Sequence, residues 1–275
     1  MLEFSIDQER CVQCGECASV CPMRVIAMAD DGFPVIAQGR DELCLRCQHC
    51  LAVCPTAALS ILGKDPDKSV PLDNLPSDAQ MEQLIRGRRS VRSYKKEAVD
   101  PEVLERLLDV VSSAPTGKNN LQTRFTVVDD PAMMDRMRAA FMEGVRKGVA
   151  EGRATGPSSV FEDFLKLWDE RGIDIIFRGA PHMIVASSPK QSPTPQADCL
   201  ISLSYFELFA NSLGLGTLWD GFAVWAMTTV APELPAVLGI PEDHVVGYVM
   251  TFGTPDVTFR RAVQRDPLPV HRVSL

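Results

Sequence analysis

Eight of the nine cysteines in this 275-residue chain fall within its first 54 positions, in two runs of the same spacing. Cys11-x-x-Cys14-x-x-Cys17-x-x-x-Cys21-Pro22 recurs 33 residues later as Cys44-x-x-Cys47-x-x-Cys50-x-x-x-Cys54-Pro55. The opening Met1-Leu2-Glu3-Phe4-Ser5-Ile6-Asp7 has no basic stretch leading into an apolar one, so nothing there directs export. The expectation is a cytoplasmic protein. In that reducing compartment so many thiols call for metal or redox chemistry before disulfides.

In each run the first three thiolates lie close enough along a looping backbone to hold three irons of one cubane cluster. The fourth, after a longer gap and before a proline that turns the chain away, ligates the other cluster. Four-cysteine zinc sites are the competing use of C-x-x-C pairs; two complete repeats, both ending in proline, favour iron and sulfur. Residues 1–62 thus resemble the two-[4Fe-4S] bacterial ferredoxins. The resemblance implies Cys11, Cys14, Cys17 and Cys54 on one cluster and Cys44, Cys47, Cys50 and Cys21 on the second. Ala18, Ala52, Ala57 and Ala58, with Val20, Ile26, Val53, Leu59 and Ile61, can pack against inorganic sulfur and exclude water. His49 is expected to face solvent, since the cysteine set is complete without it. Cys199 reads as a small core residue.

Residues 63–78, with prolines at 66, 71 and 76 and no apolar period, read as a semi-rigid linker to a second domain over 79–275. There a helix is expected around Ala79–Arg86, with Met81, Leu84 and Ile85 on one face. Asp100 caps a second, Pro101 fits its first turn, and Val103, Leu104, Leu107, Leu108 and Val111 form its stripe. Phe125–Val128, Met183–Ala186 and Val245–Phe252 are β-rich, and Ala197–Leu213 is a helix apolar on most faces, buried in a core or at a subunit interface. The apolar window Cys199–Trp219 is interrupted by Glu207, Asn211 and two glycines, too often for a membrane span.

Arg88-Arg89-Ser90-Val91-Arg92 gathers three guanidinium groups and a hydroxyl, enough donors for a phosphate. Farther on stand Ala114-Pro115-Thr116-Gly117-Lys118-Asn119, then Leu213-Gly214-Leu215-Gly216-Thr217-Leu218-Trp219-Asp220-Gly221, then Leu238-Gly239-Ile240-Pro241. In that order and spacing the segments resemble the FMN-dependent nitroreductases over 79–275, and the whole chain resembles the ferredoxin-fused branch of that family. The resemblance implies an α+β fold: a small two-cluster ferredoxin-like domain followed by a mixed sheet flanked by helices, in a homodimer that shares each FMN between subunits. It carries Arg88, Arg89, Ser90, Arg92, Arg265 and Arg261 to the phosphate end of FMN. Pro115, Thr116, Gly117 and Asn119 match the turn that meets the flavin from the partner subunit, and Leu218, Asp220 and Gly221 the stretch facing its N5. Leu121-Gln122-Thr123 departs from the Gln-Pro-Trp found at that point in many members. Residues 141–178, with Phe161, Phe164, Leu165, Leu167 and Trp168, read as an aromatic lid or as core.

The fusion implies an FMN-dependent oxidoreductase. Clusters pass electrons singly and FMN delivers two together, so the expected reaction is two-electron reduction of a small electron-poor acceptor: a nitroaromatic, a quinone or an activated double bond. Ferredoxin or flavodoxin is an expected one-electron donor. No side chain announces itself as an obligatory acid or base, so protonation is left to solvent. The alternatives are an NAD(P)H-linked flavin reductase and an electron-transfer or flavin-carrier module. No G-x-G-x-x-G dinucleotide turn follows a strand. A net charge of −8, from 28 Lys and Arg against 36 Asp and Glu, excludes the basic footprint of nucleic-acid binding.

Overall fold

The computed structural model describes residues 2–274, which form two compact units. In the first, β1 (Phe4–Ile6) pairs antiparallel with β4 (Leu59–Ile61), and β2 (Ile26–Met28) pairs with β3 (Pro34–Ile36). Between them lie two single-turn helices, α1 (Glu16–Ser19) and α2 (His49–Ala52), at equivalent points of the cysteine repeat. The backbone repeats as well. Left-handed residues recur at the same offset: Gln13 (φ 54°) with Arg46 (55°), Gly15 (74°) with Gln48 (60°), and Arg24 (49°) with Ala57 (52°). The apolar core is small, built from Ile26, Leu51, Leu59 and Ile61 around the buried Cys17 and Cys50.

The segment expected to be a linker behaves differently: the first unit runs on to Pro76. One contact that proline spacing does not reveal is a long-range ion pair at the start of this segment. Arg10 donates from both terminal nitrogens to Asp67, at 2.9 and 2.8 Å, and so ties the turn at Pro66–Lys68 to the N-terminal loop.

In the second unit Ser77 and Gln80 form a reciprocal capping box that opens α3 (Asp78–Gly87). Its Met81 and Ile85 remain exposed. Asp100 accepts from Glu102 N to start α4 (Pro101–Val111), as the sequence predicts. The sheet comprises β5 (Arg124–Val128), β6 (His182–Pro189), β7 (Gly216–Trp219) and β8 (His244–Gly253), in the order β5-β6-β8-β7. All three pairings are antiparallel, so the expected mixed sheet is found only at one edge, where Ser90 makes a parallel bridge to Thr217 of β7. Alternation divides β6 between two cores. Ile184 and Ala186 join α4 and α7 (Pro195–Ser212) on one face. Met183 and Val185 join α5 (Pro131–Ala150), α6 (Val160–Arg171) and α8 (Gly221–Trp225) on the other. The α6 aromatics are core rather than lid: Phe161 and Phe164 are buried because their stripe faces α5 and α8. No described helix is long and apolar enough to cross a membrane.

Candidate functional site

The cysteines of the first unit ring two cavities. One is lined by Cys11, Cys14, Cys17 and Cys54, the other by Cys21, Cys44, Cys47 and Cys50, so the last cysteine of each run crosses to the opposite set. Left-handed residues curl each run around its cavity and turn backbone N–H groups toward sulfur: Val25 N lies 3.3 Å from Cys21 Sγ, Arg46 N 3.4 Å from Cys44 Sγ and Ala58 N 3.2 Å from Cys54 Sγ. Burial pushes the Cys50 thiol up to about 11 and Cys17 upward as well. Four thiols per cavity, with N–H donors and apolar walls, are the donor set of a [4Fe-4S] cluster. His49 is exposed, and Cys199 is fully buried with its thiol pushed up to about 12 by that burial.

In the second unit, Arg88–Arg92 runs along the open edge of β7. Val91 N donates to Thr217 O at 2.8 Å, and a side chain at Gly216 would collide with Val91. Arg88 is already engaged: its Nη1 donates at 3.1 Å to Glu207 Oε1, which also accepts from Thr217 Oγ1 at 3.1 Å. Glu207 is 7% exposed, a buried carboxylate in an otherwise apolar stretch of α7. Arg88, Arg89 and Ser90 remain half-buried at this edge. The group fits a phosphate, since Arg88 has donors beyond the one Glu207 takes.

Arg92 lies elsewhere, on a cavity of about 260 Å³ with Leu218, Trp219, Asp220 and Gly221. Asp220 is 2% exposed. Its Oδ1 accepts from Ala223 N at 2.9 Å and caps α8, while Oδ2 is buried with no hydrogen-bond partner among the described residues. Burial therefore pushes its carboxyl up to about 7; Asp174 raises it further and Arg178 opposes the shift. Phe222 and Trp225 supply an aromatic wall, backed by edge-on contacts from Phe164 at 4.9 Å and Phe161 at 5.3 Å. A planar ring system with polar edges suits such a cavity.

The turn at 115–119 uses its polar groups internally. Gly117 N donates to the buried Asp198 Oδ1 at 2.9 Å, and Thr116 Oγ1 accepts from Leu121 N at 3.0 Å. Pro115 is exposed. Asn119 groups with the first unit, where its Nδ2 donates to Leu45 O at 3.0 Å. Arg261 lines a cleft with Arg86 and Gly87, and Arg265 is on the exposed C-terminal segment. Sequence reasoning missed Glu207 and Arg178; the one signal for Glu207 was an acid between Phe206 and Leu208 in an apolar run of the helix.

A protein from Archaeoglobus fulgidus, assigned as an NADH dehydrogenase/NAD(P)H nitroreductase, is 27% identical over 196 residues, covering 69% of this chain and 95% of the relative. An iodotyrosine deiodinase from Thermotoga neapolitana is 27% identical over 142 residues, 49% of this chain and 70% of that protein. Among solved structures, a nitroreductase with bound FMN from Desulfitobacterium hafniense superposes with a TM-score of 0.53 at 25% identity, over 70% of this chain and 98% of that one. The Bacteroides fragilis nitroreductase with bound FMN shares the fold at 19% identity, with a TM-score of 0.55 over 70% and 99%. The 4Fe-4S dicluster domain matches residues 10–58 and the Nitroreductase family residues 85–254. The chain thus belongs to the nitroreductase family and carries a 4Fe-4S dicluster domain ahead of it.

Proposed function

We propose that the protein is a homodimeric FMN-dependent oxidoreductase that takes single electrons through its ferredoxin domain and reduces a small electron-poor acceptor by two electrons. Its cofactors are FMN and two [4Fe-4S] clusters. The clusters relay electrons one at a time, and FMN pairs them for transfer to a nitroaromatic, quinone or activated double bond. The observation that carries this reading is the pair of four-thiol cavities in a chain whose larger unit has the nitroreductase fold.

Cys11, Cys14, Cys17 and Cys54 hold one cluster, and Cys21, Cys44, Cys47 and Cys50 the other. Arg88, Arg89 and Ser90 bind the FMN phosphate, with Arg261 and Arg265 closing over it. Arg92, Leu218, Asp220 and Gly221 take the flavin ring, with Pro115, Thr116, Gly117 and Asn119 reaching it from the partner subunit. The exposed Ile201 and Tyr205 on α7, with Met81 and Ile85 on α3, support a subunit interface. The cysteine usage supports a cytoplasmic setting.

Anaerobically purified full-length protein is expected to hold about eight irons and eight acid-labile sulfides per chain and about one FMN. The double change Arg88→Ala with Arg92→Ala should release FMN and leave the iron in place. In stopped-flow, a low-potential one-electron donor should reduce the bound flavin far faster than NADH or NADPH. The names of the relatives favour the opposite donor, and rapid reduction by NAD(P)H would establish that alternative instead.

A further inference from the structure

Arg178 occupies a backbone conformation that favours glycine, beside the cavity described above. Its φ of 58° is left-handed, as is the 69° of Gly179 after it. For a bulky residue this is a genuine outlier, and such outliers persist only where the surroundings impose them. Here they do. Asp174 Oδ1 accepts from Phe177 N at 2.8 Å, and Oδ2 accepts from Gly179 N at 2.9 Å and from Arg138 Nε at 3.0 Å. Arg138, itself buried, also donates to the Ala180 carbonyl. The loop is thereby fixed at both ends, and a guanidinium stands where a hydrogen atom would cost the backbone less.

Among the described residues that guanidinium acts on Asp220 only through its charge. Arg178 makes no ion pair among the described residues, and the oxygens of Asp174 are filled by other donors. Asp220 shares the cavity, but with its carboxyl pushed up to about 7 by burial it is no full counter-charge at neutral pH. Across the same space stand Trp219, Phe222 and Trp225, the last two braced from behind by Phe164 and Phe161. An unpaired planar cation facing rigid aromatic walls matches a flat ring with an anionic substituent.

We propose that Arg178 anchors the anionic group of an aromatic acceptor, so that the protein selects aromatic carboxylates over their neutral analogues. The proposal rests on the functional reading above, in which Arg92, Leu218, Asp220 and Gly221 serve the flavin and leave Arg178, Trp219, Phe222 and Trp225 for the acceptor.

The test is calorimetric titration of the full-length, FMN-loaded protein with benzoate and with benzamide, using wild type and Arg178→Gly. Glycine suits the left-handed backbone, so this variant is expected to melt no lower than wild type and to keep its FMN dissociation constant. Wild type should bind benzoate at least about tenfold tighter than benzamide, and the variant should bind the two alike. Equal binding of both by wild type overturns the proposal, as does a preference that survives in Arg178→Gly. A marked fall in melting temperature would make Arg178 structural, and loss of FMN would make it a flavin ligand; each refutes the assignment. Should wild type take up no FMN at all, the functional reading fails first, and this proposal falls with it.

Discussion

In the first unit the functional side chains come from two short runs whose backbone repeats at a fixed offset, and the apolar core between them is little more than Ile26, Leu51, Leu59 and Ile61. In the second, Arg88, Arg178, Glu207 and the Thr217–Asp220 stretch come from four separate places and are held by two full cores on either side of β6. A short chain with few apolar side chains must draw much of its folding energy from what its thiols ligate. The larger unit has enough buried surface to hold its site without a ligand. The first site is therefore created by its cofactors, whereas the second is prepared for one.

The largest effect that tests this contrast is iron removal. After anaerobic chelation, amide hydrogen exchange should become fast throughout β1–β4, while the amides of β6 and β8 stay protected. Protection retained in β1 and β4 without iron would show that the small core suffices.

A smaller effect concerns the buried acid of the second unit. The folded-state pKa of Asp220, pushed up to about 7 by burial, lies above the ordinary carboxylate value, so folding favours the protonated form. Its contribution is greatest below the ordinary carboxylate range and is lost as pH rises through about 7. Asp220→Asn keeps a cap of equal rank and removes the titration. The variant's melting temperature should thus gain on wild type between pH 5 and pH 8, by at least about 3 °C. A pH-independent difference would mean that the carboxyl is not buried as charge.

The smallest effect compares the two cysteine runs with each other. Gln48 (φ 60°) holds the left-handed position that Gly15 (φ 74°) holds in the first run. In iron-loaded protein Gln48→Gly should stabilise the first unit by about 0.5–1 kcal/mol in denaturant titration, and Gly15→Gln should cost a similar amount.

What could be read from sequence follows the same division. The spacing of Cys11–Cys21 and Cys44–Cys54 is local, so both thiol sets were legible, as was α4 from Asp100 and Pro101. Contacts between distant positions were not. Arg10–Asp67 ties the start of an expected spacer to the first unit, and Arg88–Glu207 joins positions 119 apart. The α6 stripe showed that one face is covered without showing by what, so Phe161 and Phe164 read equally well as lid or core. Arg178 did not stand out, because the local hydrogen bonds from Phe177 and Gly179 to Asp174 depend in turn on Arg138, 36 positions from Asp174.

The pairing of Arg88 with Glu207 also bears on how such a protein matures. A phosphate site made only of arginines would leave like charges facing one another until its ligand arrived, and the chain would be hard to complete while empty. Here Glu207 and Thr217 keep Arg88 in place from the moment α7 packs against the sheet. If Arg88 takes the FMN phosphate as proposed, arrival of that phosphate is an exchange of partners rather than a rescue of stranded charge, because the edge that holds Arg88 is already assembled without flavin.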